Sequence, residues 1–119
     1  MRSRRPVAAA AAALAVAALL AGCGGEDTDH IQAQDGPVEG GNGITPTKMT
    51  ASKGNKVEIK VTNTATDTEL GFCIAEFGVK ETIGQGKTTT VEFKADKSGT
   101  FKVYCQIHPT HKTAELVVS

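Results

Sequence analysis

Between Lys56 and Asn63 the chain reads KVEIKVTN, with apolar and polar residues in strict alternation. Successive side chains of an extended strand point to opposite faces, so Val57, Ile59 and Val61 share one face while Glu58, Lys60 and Thr62 share the other. The period of two recurs. ELGFCI sets Leu70, Phe72 and Ile74 opposite Glu69, Gly71 and Cys73, and TTTVEFKA alternates around Val91 and Phe93. TFKVYC aligns Phe101, Val103 and Cys105 with Lys102 and Tyr104 outward, and AELVV aligns Leu116 and Val118. Turn chemistry separates these runs at Lys53-Gly54-Asn55, Gly84-Gln85-Gly86 and Lys97-Ser98-Gly99. No segment has a helical period. Many short strands at this spacing predict an all-β sandwich or small barrel.

The first 43 residues read differently. Arg2, Arg4 and Arg5 precede a fifteen-residue apolar run from Val7 to Ala21, short for a bilayer span and suited to a secretory signal. The run ends in LAGC, Leu20 to Cys23, which resembles the lipobox of bacterial lipoproteins, in which the cysteine is lipidated and becomes the first mature residue. Residues 1–22 are therefore expected to be a signal peptide. Residues 23–43 are expected to hold the acylated Cys23, a small, acidic tether (GGEDTD) and a short first strand at HIQAQ. The Asp35–Gly43 stretch, DGPVEGGNG, has four glycines and a proline and reads as a turn or exposed loop. The folded domain would span 44–119, carried by an exported protein anchored to the outer face of the cell membrane or facing the periplasm.

Removing the signal changes the balance of charge. Ten lysines remain against thirteen acidic residues, a mildly acidic chain with no case for nucleic acid or for polybasic membrane binding. With Cys23 acylated, Cys73 and Cys105 are the thiols left, in a compartment that permits disulfides. Enzyme chemistry has little support: no serine sits in a nucleophile motif, no glycine-rich loop precedes a helix, and an inward Cys105 beside His108 lacks an orienting third group.

One segment carries chemistry. Near the end the chain places Cys105, His108 and His111 at C-x2-H-x2-H spacing, on a turn between two strands. Parity puts the Cys105 sulfur inward with Phe101 and Val103, and the returning strand fixes the other end of the loop. A thiolate with imidazoles suits copper or zinc rather than magnesium or calcium.

The stretch from ITPTKMTASKGNKVEIKVTN through GTFKVYCQIH resembles the cupredoxin family of small secreted copper proteins. That resemblance implies a Greek-key β-sandwich or open barrel with one copper ion at one end, serving one-electron transfer. It also implies where this chain departs. The family's first histidine ligand falls at Leu70, and the axial methionine position is His111. The set that remains is Cys105, His108 and His111, with Cys73, Glu76, a backbone carbonyl near Glu69 or water as fourth groups; a carboxylate there resembles the family's red-copper variant. Cys73 stays open between ligation, a disulfide with Cys105, and neither. Copper holding and delivery is the alternative to electron transfer, and a metal-free interaction module with a Cys73–Cys105 disulfide is a third reading. The partners expected are the membrane, through the lipid, and a redox or copper-trafficking protein.

Overall fold

In the computed structural model, residues 27–119 are described; the predicted signal peptide and Cys23 lie outside them. Nine strands form: β1 (Thr28–Val38), β2 (Gly41–Thr45), β3 (Lys48–Ala51), β4 (Lys56–Asn63), β5 (Leu70–Ile74), β6 (Val79–Ile83), β7 (Thr88–Lys94), β8 (Gly99–Val103) and β9 (Ala114–Val118). A single 3-10 turn, Ala75–Phe77, interrupts them. The all-β architecture is the one expected.

One sheet has the order β2-β1-β4-β7, with β1 parallel to β4 and the other pairs antiparallel. The second has the order β3-β9-β8, and the β5-β6 hairpin extends it through a bridge between Cys73 and Tyr104. At the other side, Gly43 of β2 bridges to Lys112 just before β9, so the two layers are joined there. Alternation predicted the inward residues: Val57, Ile59, Val61, Phe72, Ile74, Val103 and Leu116 have no exposed surface. Phe77 plugs the core at the far end of β5, stacked on Phe93 at 4.8 Å and edge-on to Phe101 at 4.9 Å.

The region before residue 44 requires a correction. Asp35 to Gly43 is not an exposed loop: β1 continues through Asp35 to Val38, and β2 begins at Gly41. The glycines serve the hairpin between them. Gly40 adopts a φ of 84°, which an L side chain resists, and the turn is confined to Glu39 and Gly40. The parallel register then aligns Ile31 with Ile59, Ala33 with Val61 and Asp35 with Asn63. Asp35 is thereby carried to the inner face, one step beyond Ala33.

The crossing from β4 to β5 hangs on Asn63, which is fully buried. Its Nδ2 donates to the carbonyls of Thr68 and Ile83, each at 2.9 Å, and its Oδ1 accepts the Ala65 N–H at 2.8 Å. Asn63→Ala leaves these buried groups unsatisfied, at about 1–3 kcal/mol each. Urea denaturation should show the midpoint falling by a total loss of about 3 kcal/mol with the slope unchanged.

Candidate metal centre

The candidate site is assembled where β8 leaves the sheet. Tyr104 exchanges both backbone hydrogen bonds with Cys73, at 2.8 and 3.0 Å, so these two side chains share one face. Cys105, one residue later, points to the opposite face, where it is buried beside Ala65 and Leu70. The Gly71 N–H donates to its Sγ at 3.2 Å. That contact fixes where the sulfur, a metal-ligating atom, is held. Beyond Cys105 the chain turns at Pro109, closed by the His111 N–H donating to the His108 carbonyl at 3.0 Å. Lys112 then exchanges backbone hydrogen bonds with Asn42 and Ile44, which fixes the end of the loop to β2.

His111 is thus held with its side chain only 11% exposed and its Nδ1 3.5 Å from Asp35 Oδ1. One donor atom each from Asp35, Cys105 and His111 lie within 4.8 Å of one another. Asp35 is fully buried, and neither carboxylate oxygen nor the His111 Nδ1 has a hydrogen-bond partner. Burial pushes the Asp35 carboxyl above its ordinary value, although His111, the Cys105 thiol and His108 pull it down. A charged carboxylate buried here would cost on the order of several kcal/mol unless it takes up a proton, pairs with a protonated His111 or is answered by a metal ion. Sulfur, nitrogen and oxygen donors converging in an apolar corner fit a copper or zinc ion, whose bonds are about 2.0–2.3 Å.

The other candidates lie around this cluster. His108 stacks on His111 with ring centroids 4.9 Å apart. Its Nε2 lies 3.1 Å from the Glu69 carbonyl and 3.4 Å from Thr68 Oγ1. A carbonyl only accepts, so Nε2 carries the proton and Nδ1 keeps the lone pair of the neutral ring. The Glu69 carbonyl, a fourth group considered from the sequence, is therefore engaged by His108. Cys73 does not reach the cluster, because sheet parity turns it to the outer face; there it contacts the Tyr104 hydroxyl and holds it above its ordinary pKa range. Cys73 and Cys105 are both free thiols. Glu76 is exposed in the 3-10 turn, where its carbonyl accepts from Lys97 Nζ at 3.0 Å. Leu70, at the position of the absent histidine, has no exposed surface and packs on Cys105. His30 pairs with Glu58 at 2.7 Å on the surface, apart from the site.

Asp35 is the residue the sequence reading missed. The signal was present: extending the alternation of HIQAQ by one residue puts Ile31, Ala33 and Asp35 on one face. A cleft of about 290 Å³, lined in part by Tyr104, Gln106 and Pro109, reaches Cys105 and His111 from outside.

Residues 7–118 match the cupredoxin-like domain family. Among solved structures, the chain is similar to dithionite-reduced auracyanin from Roseiflexus castenholzii, with a TM-score of 0.65 and 16% identity, covering 78% of this chain and 98% of that one. It is similar to a copper binding protein solved by NMR in the apo form, with a TM-score of 0.59, 21% identity, and coverage of 79% and 90%. It is also similar to the metal binding domain of the Cu(I)-exporting P-type ATPase CopA of Streptococcus pneumoniae, solved with Cu(I), with a TM-score of 0.61, 16% identity, and coverage of 81% and 99%. At these identities the likeness is one of fold.

Opposite faces for Cys73 and Cys105 make a prediction about thiol content. The soluble domain, denatured without reductant, should titrate two thiols per chain, and both should react slowly in the native state because Cys73 and Cys105 are 5% and 3% exposed. A count of zero would mean that the two are joined.

Proposed function

Since the chain belongs to the cupredoxin-like family, we propose that it binds one copper ion at Cys105 and His111, with His108 beside them, and passes single electrons from the outer surface of a cell membrane. The observation that carries the reading is the Cys105 sulfur, buried, held by the Gly71 N–H and clustered with an unpartnered His111 Nδ1. Copper in such a site supplies a one-electron couple. The protein's part is to hold its donors still. The sulfur is positioned by a β5 amide, His111 by a loop tied at both ends, and Leu70 and Ala65 keep water from the inner side. Small ligand movement between oxidation states is what fast electron exchange needs. The cleft at Tyr104 and Gln106 gives a partner an approach to Cys105.

The proposal includes export and lipidation at Cys23, resting on the signal and LAGC motif. The expected partner is a redox or copper-trafficking protein at the same surface, and no enzymatic reaction is assigned. Copper holding and delivery is the second reading. What favours it is Leu70, which occupies the place of one ligand and leaves fewer protein donors to resist exchange.

Copper titration of the reduced, desalted soluble domain should give an intense thiolate-to-copper absorption band that saturates at one equivalent and vanishes in Cys105→Ser. His111→Ala should weaken binding by more than about tenfold, the loss that removing even an outer-shell partner of a ligand brings, and His108→Ala should weaken it less. Retention of copper through repeated oxidation and reduction supports electron transfer; ready loss of Cu(I) to a chelator supports delivery. In cells, labelled palmitate should enter the full chain and fail to enter Cys23→Ala.

A further inference from the structure

Resting on that reading and deepening it, we propose that Asp35 is a direct copper ligand, supplying a carboxylate oxygen from β1 opposite Cys105 and His111. The side chain is fully buried, both of its oxygens lack a hydrogen-bond partner, and an oxygen lies within 4.8 Å of the donor atoms of both residues. A carboxylate held for structural reasons would accept N–H groups, as the nearby Asn63 both accepts and donates. This one is aimed at the Cys105 thiol and at His111 Nδ1, which is 3.5 Å away and makes no hydrogen bond.

Its position is not adjustable. Asp35 pairs with Ile44 on one side and Asn63 on the other. Its carbonyl accepts the Thr64 N–H at 2.9 Å, and a Cβ on the next residue, Gly36, would meet Thr64 Oγ1 at 2.0 Å. The strand backbone at Asp35 and Gly36 is therefore packed against residues 64–65.

The chemistry of the resulting set differs from one of thiolate and neutral donors alone. Thiolate and carboxylate bring two negative charges, which balance Cu(II) and leave a net negative charge beside Cu(I). In a buried site that imbalance is unfavourable, and a hard oxygen donor adds to the preference for the oxidised ion. Asp35 therefore sets a low reduction potential and tighter retention of Cu(II) than of Cu(I).

The test is Asp35→Asn, close in shape and without the charge. The apo variant should be about as stable as the wild type, because it removes a buried carboxylate whose contact with His111, at 3.5 Å, is longer than a hydrogen bond. Its Cu(II) affinity should fall at least tenfold while its Cu(I) affinity falls less. Each tenfold of that difference raises the reduction potential by about 59 mV, the one-electron value. Infrared difference spectra of the wild-type protein labelled with 13C-aspartate should show a carboxylate band that shifts when Cu(II) is added, and Asp35→Asn should lack it. An Asp35→Asn protein with unchanged affinities, absorption and potential would overturn the ligand assignment while leaving copper at Cys105 intact. Should the variant not fold, a wild-type spectrum with no shifted aspartate band overturns it equally. Absence of any thiolate-to-copper band in the wild type would instead defeat the copper reading and the ligand assignment together.

Discussion

The Gly71 N–H, 3.2 Å from the Cys105 sulfur, is the contact on which the site depends. It exists because β5 is stitched to the end of β8 by the paired hydrogen bonds between Cys73 and Tyr104. That pairing fixes the parity of both strands at once. Tyr104 and Cys73 face outward, and Cys105 faces inward onto Leu70 and the amide of Gly71. The end of the Gln106 side chain lies over Gly71, where a Cβ would stand, and its Nε2 donates to the Glu81 carbonyl at 3.0 Å. β5 is consequently buried on both faces, although its sequence alternates like a half-exposed strand.

The fold was legible because period-two alternation is local. Val57, Ile59 and Val61, or Phe101 and Val103, need only their neighbours to declare a face. Cys105 and His111 could be placed by the same means, since one ends an alternating run and the other lies on the short loop that follows it. Asp35 could not be read with the same ease. Its strand ends in DGPVEGGNG, and the proline and glycines there have the composition of a loop while serving a strand edge and a tight hairpin. Its value also lies in a non-local pairing: only the parallel register of β1 on β4 brings residue 35 to the end of the core where residue 105 arrives. Glu76 and Cys73 were near in sequence to the absent histidine, but sequence proximity along a strand says nothing of face. Parity sends Cys73 outward, and the 3-10 turn leaves Glu76 in solvent.

Leu70 shows what an apolar side chain at this corner does to its surroundings. With no polar group to satisfy, that corner of the site becomes an apolar wall of Leu70, Ala65 and the Cys105 methylene. The wall lowers the local dielectric, which strengthens the attraction of any charged donor for a cation and raises the cost of leaving that donor unanswered. The exposed carboxylates of the chain feel neither effect; Asp35 feels both.

Retention or release of an ion then turns on how independently the donors can move. They come from separate places: the middle of a three-strand ladder for Asp35, the end of β8 for Cys105, and the loop before β9 for His111. Asp35 is locked by pairing on both sides, and Cys105 by the bridge one residue before it. His111 is followed by Lys112, which is tied to β2 through backbone bonds at 2.9 and 3.1 Å and through Nζ to the Glu39 carbonyl at 3.0 Å. These bonds fix where the backbone of each donor residue lies. The ladders around Asp35 and Cys105, formed from sequence far from the site, hold the carboxyl group and the sulfur within 4.8 Å of each other and of His111.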